Sequence, residues 1–469
     1  MSGFDPAQLP PGPLVAWYGD DFTGAAAVME ILAFAGLPAV LFLDIPNEAQ
    51  RARFADCRGI GIAGTARAHS PEWMDQHLPP VFDWLRALGA PLTHYKVCST
   101  LDSSPSIGSI GHAIDIAAER IRGAWVPCLI ASPGIRRYQC FGHLFAAAPG
   151  GVFRLDRHPV MARHPVTPMD EADVAMHLSR QTTRQMGVLD IGALVDDDAA
   201  ARAALGALVD AGRQVICMDT VTIEHLARCG ALLWERRAAA PFVVGSQGIE
   251  EALVRHWQMT GALSPAPAAP GIGRARGTIV VSGSVSLVTA GQIDWSLDHG
   301  FTGIALDVAA LLRGDAAHAA ELARVQNAAL AAFAAGGDPL IYSARGPDDP
   351  AVAALRQAQA VSGVSAEGVN AMIGDALGHL LAQLIRRTGI RRAVISGGDT
   401  SGHASRHLGL YALTALAPTI PGASLFRAHS DDVAFDGLEL ALKGGQMGTP
   451  DYFGWIRSGG GAVGRPAAP

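Results

Sequence analysis

A short β-branched run that breaks into small polar residues and reopens as a helix-compatible segment recurs along this chain. It is clearest at Val394-Ile395-Ser396-Gly397-Gly398-Asp399-Thr400-Ser401-Gly402, with a helix expected over 403–408. A buried strand that ends this way leaves free backbone N–H groups at a helix N-terminus, and such groups bind phosphate well. Gly397 and Gly398 let an anion approach the backbone closely. Asp399 and Thr400 add a carboxylate and a hydroxyl. An ordinary strand–turn–helix connection is the competing reading, and the rest of the chain decides between the two.

The same unit repeats. Strands are expected at 14–18, 39–43, 59–63, 94–97 and 125–131, with helices at 25–34, 73–88 and 107–121 between them. Further strands follow at 186–191, 214–219 and 242–246. Hydrophobic residues make up 49% of the 469 and aromatics only 6%, so the core is built from Ala, Val, Leu and Ile, as suits parallel strands under alanine-rich helices. The expected fold class is α/β, in two domains that are each a mostly parallel sheet flanked by helices. The first domain is expected over 1–260 and the second over 278–469, with the Pro- and Gly-rich stretch 261–277 as linker. Within the first, 141–181 loses the pattern and reads as an ordered insertion or lid. Asp170 is expected to cap a helix over 171–181, and the tail 459–469 to be disordered.

The net charge of −7 and the lack of a basic block argue against a nucleic-acid binder. No charged and apolar leader and no membrane span stand out. The six cysteines are scattered without a C-x-x-C pair, which argues against a zinc site or disulfide framework and for a reducing cytoplasm.

Lys and Arg total 36, and only Lys96 and Lys443 are lysines. A lysine that survives such a bias sits where a compact ammonium is needed and a guanidinium will not fit. Lys96 precedes Cys98-Ser99-Thr100-Leu101-Asp102-Ser103, and Lys443 opens Gly444-Gly445-Gln446. Gly19-Asp20-Asp21-Phe22-Thr23-Gly24 puts two carboxylates at a strand end, where one can take or orient the proton of a substrate hydroxyl; helix capping is the alternative. Arg67 offers a fork for a carboxylate, and Ser99, Thr100, Asp102 and Ser103 offer partners for alcohols, as a small polyhydroxylated anion requires. His158 and His164 are either substrate contacts or turn residues. In the second domain Ser282, Ser284 and Ser286, then Gly397 to Thr400, then Lys443, Gly444 and Gly445 form three small-residue loops suited to nucleotide phosphates. None of them fits the P-loop or the dinucleotide pattern.

GDDFTGA, KVCSTLDSS, RHPVTPM, VVSGSVSLVTAGQI, SGGDTSG and LKGGQMG, in that order, resemble the four-carbon acid sugar kinase family over nearly the whole chain. The resemblance implies ATP and Mg²⁺ as cofactors and a terminal hydroxyl of a threonate-, erythronate- or 3-oxo-tetronate-like acid as acceptor. It assigns Asp20, Asp21, Arg67, Lys96 and 99–103 to the acid; Asp21 is the first candidate for the base and Asp20 the second. It assigns Ser284, Gly397 to Thr400 and Gly444 or Gly445 to ATP. A small sugar acid and a second copy of the chain are the expected partners, with no nucleic acid and no membrane. Members often carry Asp-Ser-Thr-Leu-Arg where this chain has Cys98-Ser99-Thr100-Leu101-Asp102. That reverses a charge in the acid pocket and admits a branched acid such as 3-oxo-isoapionate as an alternative substrate.

Overall fold

Strand ends set the plan of this protein, whose computed structural model describes residues 9–461 apart from the side chain of Asp399. The chain divides between Ala266 and Pro267. In the first unit the strands are β1 (Val15–Gly19), β2 (Ala39–Phe42), β3 (Gly59–Ala63), β4 (Leu92–Lys96), β5 (Val126–Leu129), β6 (Arg137–Cys140), β7 (His143–Ala148), β8 (Gly151–Arg154), β9 (Met186–Leu189), β10 (Val215–Met218) and β11 (Phe242–Gly245). Eight of them form a sheet in the order β2-β3-β1-β4-β11-β5-β10-β9, and every pairing among these eight is parallel. All five residues of β1 and of β4 are buried, because helices cover both faces of such a sheet.

The second unit has β12 (Thr278–Ser282), β13 (Phe301–Ala305), β14 (Asp338–Tyr342), β15 (Arg392–Ser396), β16 (Leu410–Ala417), β17 (Leu425–Ser430) and β18 (Glu439–Lys443). Their order is β13-β14-β12-β15-β18-β17-β16. The first five pair in parallel, and β17 runs antiparallel to both β16 and β18. Its core gathers Val280, Ile293, Phe301, Leu340, Val394 and Tyr452. Each side chain of this size contributes about 1.5–3 kcal/mol when buried. Among the described residues no helix is long and apolar enough to cross a membrane.

The ordered insertion expected over 141–181 begins as a three-stranded antiparallel sheet, β6-β7-β8, over 137–154. Its first turn uses Phe141 at φ 46° and Gly142 at φ 76°, the left-handed pair that a two-residue hairpin turn needs. The helix after it spans only Val174–Ser179, and its cap is Asp173, which accepts from the Met176 N–H. Asp170 instead meets Arg180 at 2.8 Å. In the second unit, the helix read as starting at 403 begins five residues earlier and spans Gly398–His407, so the glycine-rich motif is its first turn. Finally, Gly459 and Gly461 are held by backbone bonds to Ile456 and Pro418; 462–469 lie outside the described residues. The stretch read as a linker is held as well, since Ile272 N–H donates to Gly459 and Arg392 Nη1 to the Gly273 carbonyl at 2.8 Å.

Candidate active site

In the first unit β1 and β4 are neighbours, with Gly19 opposite Lys96. The chain leaves β1 toward β2 on one side and leaves β4 toward β5 on the other. Where connections part in this way, the carboxyl edge of a sheet opens into a crevice. Asp20 and Asp21 follow β1, Arg67 stands in a short turn after β3, and 97–103 follow β4.

Arg67 joins these segments. Its Nη2 lies 2.7 Å from Asp20 Oδ1 and 2.8 Å from Asp21 Oδ1, and its Nε donates to Asp20 Oδ2 at 3.3 Å. Nη1 is 3.8 Å from Asp102 Oδ2. Burial works against the guanidinium charge, but Asp20 and Asp21 outweigh it and hold Arg67 well above its ordinary range. Asp20 is 2% exposed; burial pushes its carboxyl up, and the Arg67 guanidinium opposes that shift.

Asp21 has the dual character that its sequence context left open. Its Oδ1 caps the helix Phe22–Phe34 by accepting from the Gly24 N–H at 3.0 Å. Its Oδ2 has no hydrogen bond among the described residues, and the side chain is 28% exposed. A Cβ on Gly24 would stand 2.5 Å from both Asp21 Oδ1 and Lys96 Nζ, so only glycine lets the ammonium come up beside the carboxylate. Lys96 is 2% exposed and donates to the Val97 carbonyl at 2.7 Å.

Beyond them runs a proton-ordered chain. Thr100 Oγ1 donates to Asp102 Oδ1 at 2.8 Å, so its contact with Cys98 Sγ at 2.9 Å must receive the thiol proton. Burial pushes the Cys98 thiol up and keeps that proton in place. The hydroxyl of Ser99 has no partner among the described residues. Ser103 is placed differently: its hydroxyl donates to the Leu101 carbonyl and meets His177 Nε2 at 2.9 Å and Gln181 Nε2 at 3.0 Å. His164 Nδ1 accepts from Thr167 N–H and Oγ1, and His158 Nδ1 accepts from the N–H groups of Val160 and Met161. None of these three residues bonds to the Asp20–Arg67–Asp102 group among the described residues.

Sequence reasoning missed two residues near this edge. Glu251 accepts from Ser132 Oγ at 2.9 and 2.8 Å, and burial raises it to about 7. Arg137 starts β6 and bonds reciprocally to the Ser132 backbone. Neither sits in a glycine- or serine-rich turn, so no local signal marked them.

The second unit repeats the arrangement. The chain leaves β12 toward β13 on one side and β15 toward β16 on the other, and Ser282, Ser396 and Lys443 lie in register on β12, β15 and β18. The hydroxyls of Ser282, Ser396 and the nearby Ser343 are buried without a partner, which is rare unless a ligand or water completes them. Ser286 caps the helix Leu287–Asp298 and its hydroxyl reaches the Gly445 carbonyl at 2.5 Å. Thr289 Oγ1 donates to that carbonyl at 2.9 Å and lies 3.1 Å from Ser284 Oγ. Lys443 Nζ donates to Thr289 Oγ1 at 3.2 Å and to the Gly444 carbonyl at 3.0 Å; burial lowers it to about 7. Gly397 caps the next helix at φ 126°. A Cβ on Gly283 would meet Thr400 Oγ1 at 2.2 Å, and one on Gly445 would meet Ser284 Oγ at 2.4 Å. The three loops therefore meet in one cradle of free N–H groups, hydroxyls and one amine, which suits phosphates. Asp399 belongs to the first turn of that helix, and its side chain is outside what the structure describes.

Comparison with known proteins agrees with this division. Residues 15–253 match a sugar-binding N-terminal domain and 279–453 a nucleotide-binding C-terminal domain. The chain is 43% identical to a 3-oxo-isoapionate kinase of Paraburkholderia graminis over 98% of its own length and 99% of that protein. It is 30% identical to a 3-oxo-tetronate kinase of Cupriavidus necator, covering 94% and 96%. A crystallised Salmonella typhimurium LT2 protein superimposes with a TM-score of 0.75 at 25% identity, over 94% of this chain and 98% of that one. Haemophilus influenzae protein HI1011 shares the fold at a TM-score of 0.73 and 22% identity, covering 93% and 98%.

Proposed function

The chain belongs to the four-carbon acid sugar kinase family, and from that membership we propose that it phosphorylates a hydroxyl of 3-oxo-isoapionate or a close 3-oxo sugar acid, with Asp21 as the base. It is a sugar-acid kinase, a phosphotransferase with an alcohol acceptor. The 43% identity to the 3-oxo-isoapionate kinase favours the branched acid over the unbranched 3-oxo-tetronate.

The observation that carries the role of Asp21 is its free Oδ2 next to an Oδ1 already fixed by Gly24 and Arg67. A base must be rigid and still have an acceptor in hand. The acceptor hydroxyl gives its proton to Oδ2 while its oxygen forms the new bond to phosphorus. Lys96, beside the carboxylate, offsets negative charge at that point, and Arg67 keeps Asp20 and Asp21 from turning away. Bound ATP supplies the γ-phosphoryl group, and cleavage of its bond to the β-phosphate releases ADP. The residues of the second unit fit such a nucleotide: the orphaned serine hydroxyls, the glycine cradle and Lys443 all face small anionic oxygens best. Among the described residues no three metal-ligating side chains gather. A Mg²⁺ held mainly by phosphates and water needs no such group, and we read it as arriving with the nucleotide. Work in a reducing cytoplasm is part of the same reading: Cys128 and Cys217 lie opposite each other on β5 and β10 as free thiols.

The test is coupled ATP turnover with Mg²⁺ over 3-oxo-isoapionate, 3-oxo-tetronate, threonate and erythronate. Turnover of one of them, cut about 10²–10⁴-fold in Asp21→Asn with ATP affinity unchanged, is the expected result. Full activity in that variant would remove Asp21 from the role, and silence on every acid would remove the substrate class.

A further inference from the structure

The charges around Asp21 do not suffice for an anionic substrate. Three carboxylates, Asp20, Asp21 and Asp102, face two cations, Arg67 and Lys96. Arg67 gives Nε and Nη2 to Asp20 and Asp21 and turns Nη1 toward Asp102, so neither edge of its fork is left for a ligand. Lys96 is nearly sealed and already donates to Val97. A sugar acid whose hydroxyl reaches Asp21 brings a further negative charge to a place with none to match it.

Arg137 has the missing donor. It begins β6 and is fixed to Ser132 by reciprocal backbone bonds, Ser132 N–H to the Arg137 carbonyl at 3.0 Å and Arg137 N–H to the Ser132 carbonyl at 3.1 Å. Ser132 lies just past β5, three strands from β1 in the sheet, or about 14 Å at ordinary strand spacing. An arginine side chain and a short acid span that distance together. Burial lowers the Arg137 guanidinium below its ordinary range, and Asp102, in the segment that follows β4, opposes that shift. Only Nη1 has partners, the carbonyls of Ile135, Arg136 and Ala147 at 3.3–3.4 Å. Nε is buried without one, and Nη2 has none among the described residues. Nε and Nη2 form the edge by which Arg202 grips Glu235 and Arg154 grips Asp156 in this same chain. An orphaned donor on a carboxylate-binding edge, at the mouth of an under-neutralised pocket, calls for a ligand.

We propose that the Nε/Nη2 edge of Arg137 receives the carboxylate of the sugar acid and thereby delivers the acid's far hydroxyl to Asp21. This rests on the sugar-acid reading above. It makes the three-stranded sheet β6-β7-β8 part of the substrate site, as the carrier of the residue that selects acids over neutral polyols.

Calorimetric titration of the full chain with 3-oxo-isoapionate, 3-oxo-tetronate, threonate and erythronate, and with the uncharged polyols threitol and erythritol, tests it in wild type, Arg137→Ala and Arg137→Lys. The expected result is acid binding weakened about 10- to 100-fold in Arg137→Ala and partly restored in Arg137→Lys. Polyol binding, ATP binding and thermal midpoint stay as in wild type. Equal losses for acid and polyol would make Arg137 a packing residue, and undiminished acid binding would remove it from the site; either overturns the proposal. A wild-type chain that binds acids through Arg137 but transfers no phosphate would overturn the kinase reading alone, whereas one that binds no acid overturns both.

Discussion

Asp21 Oδ1 starts a helix and Oδ2 stays free, while the Glu251 carboxyl, in the first turn of the helix Gly248–Met259, is raised by burial against the opposing hydrogen bond from Ser132. Glu251 gives a prediction whose sign is fixed. Its folded value, about 7, exceeds its ordinary 4.5, so between those values the folded chain holds a proton that the unfolded chain has released. The stability this contributes is complete below pH 4.5 and is lost as pH rises through 7. Glu251→Gln keeps an oxygen for the Ser132 hydroxyl and cannot ionise. Urea unfolding at about pH 4.5 and about pH 8 is expected to show a smaller loss in the variant than in wild type; an equal loss would mean that Glu251 is ionised throughout. At this scale the sequence was readable where chemistry sits in a strand-end turn. Asp20, Asp21, Arg67, Lys96, Thr100 and Asp102 come together because β1, β3 and β4 are adjacent and in register. Ser103 and His164 have the right residue types, but Ser103 bonds to Leu101, His177 and Gln181 and His164 to Thr167, which composition cannot reveal. Arg137 escaped notice because it stands at the start of a strand, where an arginine normally marks a solvated edge.

Among the elements, the helix Gly398–His407 and the loop after β18 show how small residues build a cradle. Gly445 has almost no room for a side chain, since its Cβ would lie 2.4 Å from Ser284 Oγ, and Ser284 is bonded onward to Thr289. Gly445→Ala therefore pushes Ser284 out of the cradle. We expect KM for ATP to rise about tenfold or more, the loss of one or two hydrogen bonds to a charged group, with binding of the sugar acid unchanged. An unchanged KM for ATP would place the phosphates elsewhere. The parallel strands were legible from their apolar runs and the turns that close them. The sheet β6-β7-β8 was not, because its first turn places Phe141, 65% exposed, at φ 46°. A hairpin of this kind is usually announced by Asn-Gly or Gly-Gly, and Phe-Gly does not announce it.

Over the whole molecule each unit is a mostly parallel sheet with its polar cluster where the connections leave in opposite directions, the position at which such sheets hold ligands. The division into a sugar-binding and a nucleotide-binding part follows from what each opening offers: carboxylates and guanidinium in the first, hydroxyls, free N–H groups and an amine in the second. The arginine bias of the composition has a counterpart in the fold. Both lysines lie at these openings, 2% and 1% exposed, and the positive charge of the described surface is carried by arginine.

That placement turns a lysine-specific protease into a gauge of each opening. Its only cleavage points, after residues 96 and 443, would divide the chain into 1–96, 97–443 and 444–469, and a protease must wait for the local backbone to unfold before it can cut. Native protein is expected to resist this enzyme under conditions where an arginine-specific protease cuts readily. Adding the sugar acid should slow cleavage after Lys96 alone, and adding ATP should slow cleavage after Lys443 alone. If either ligand slowed both cuts equally, or neither, the two lysines would not be reporting on separate sites.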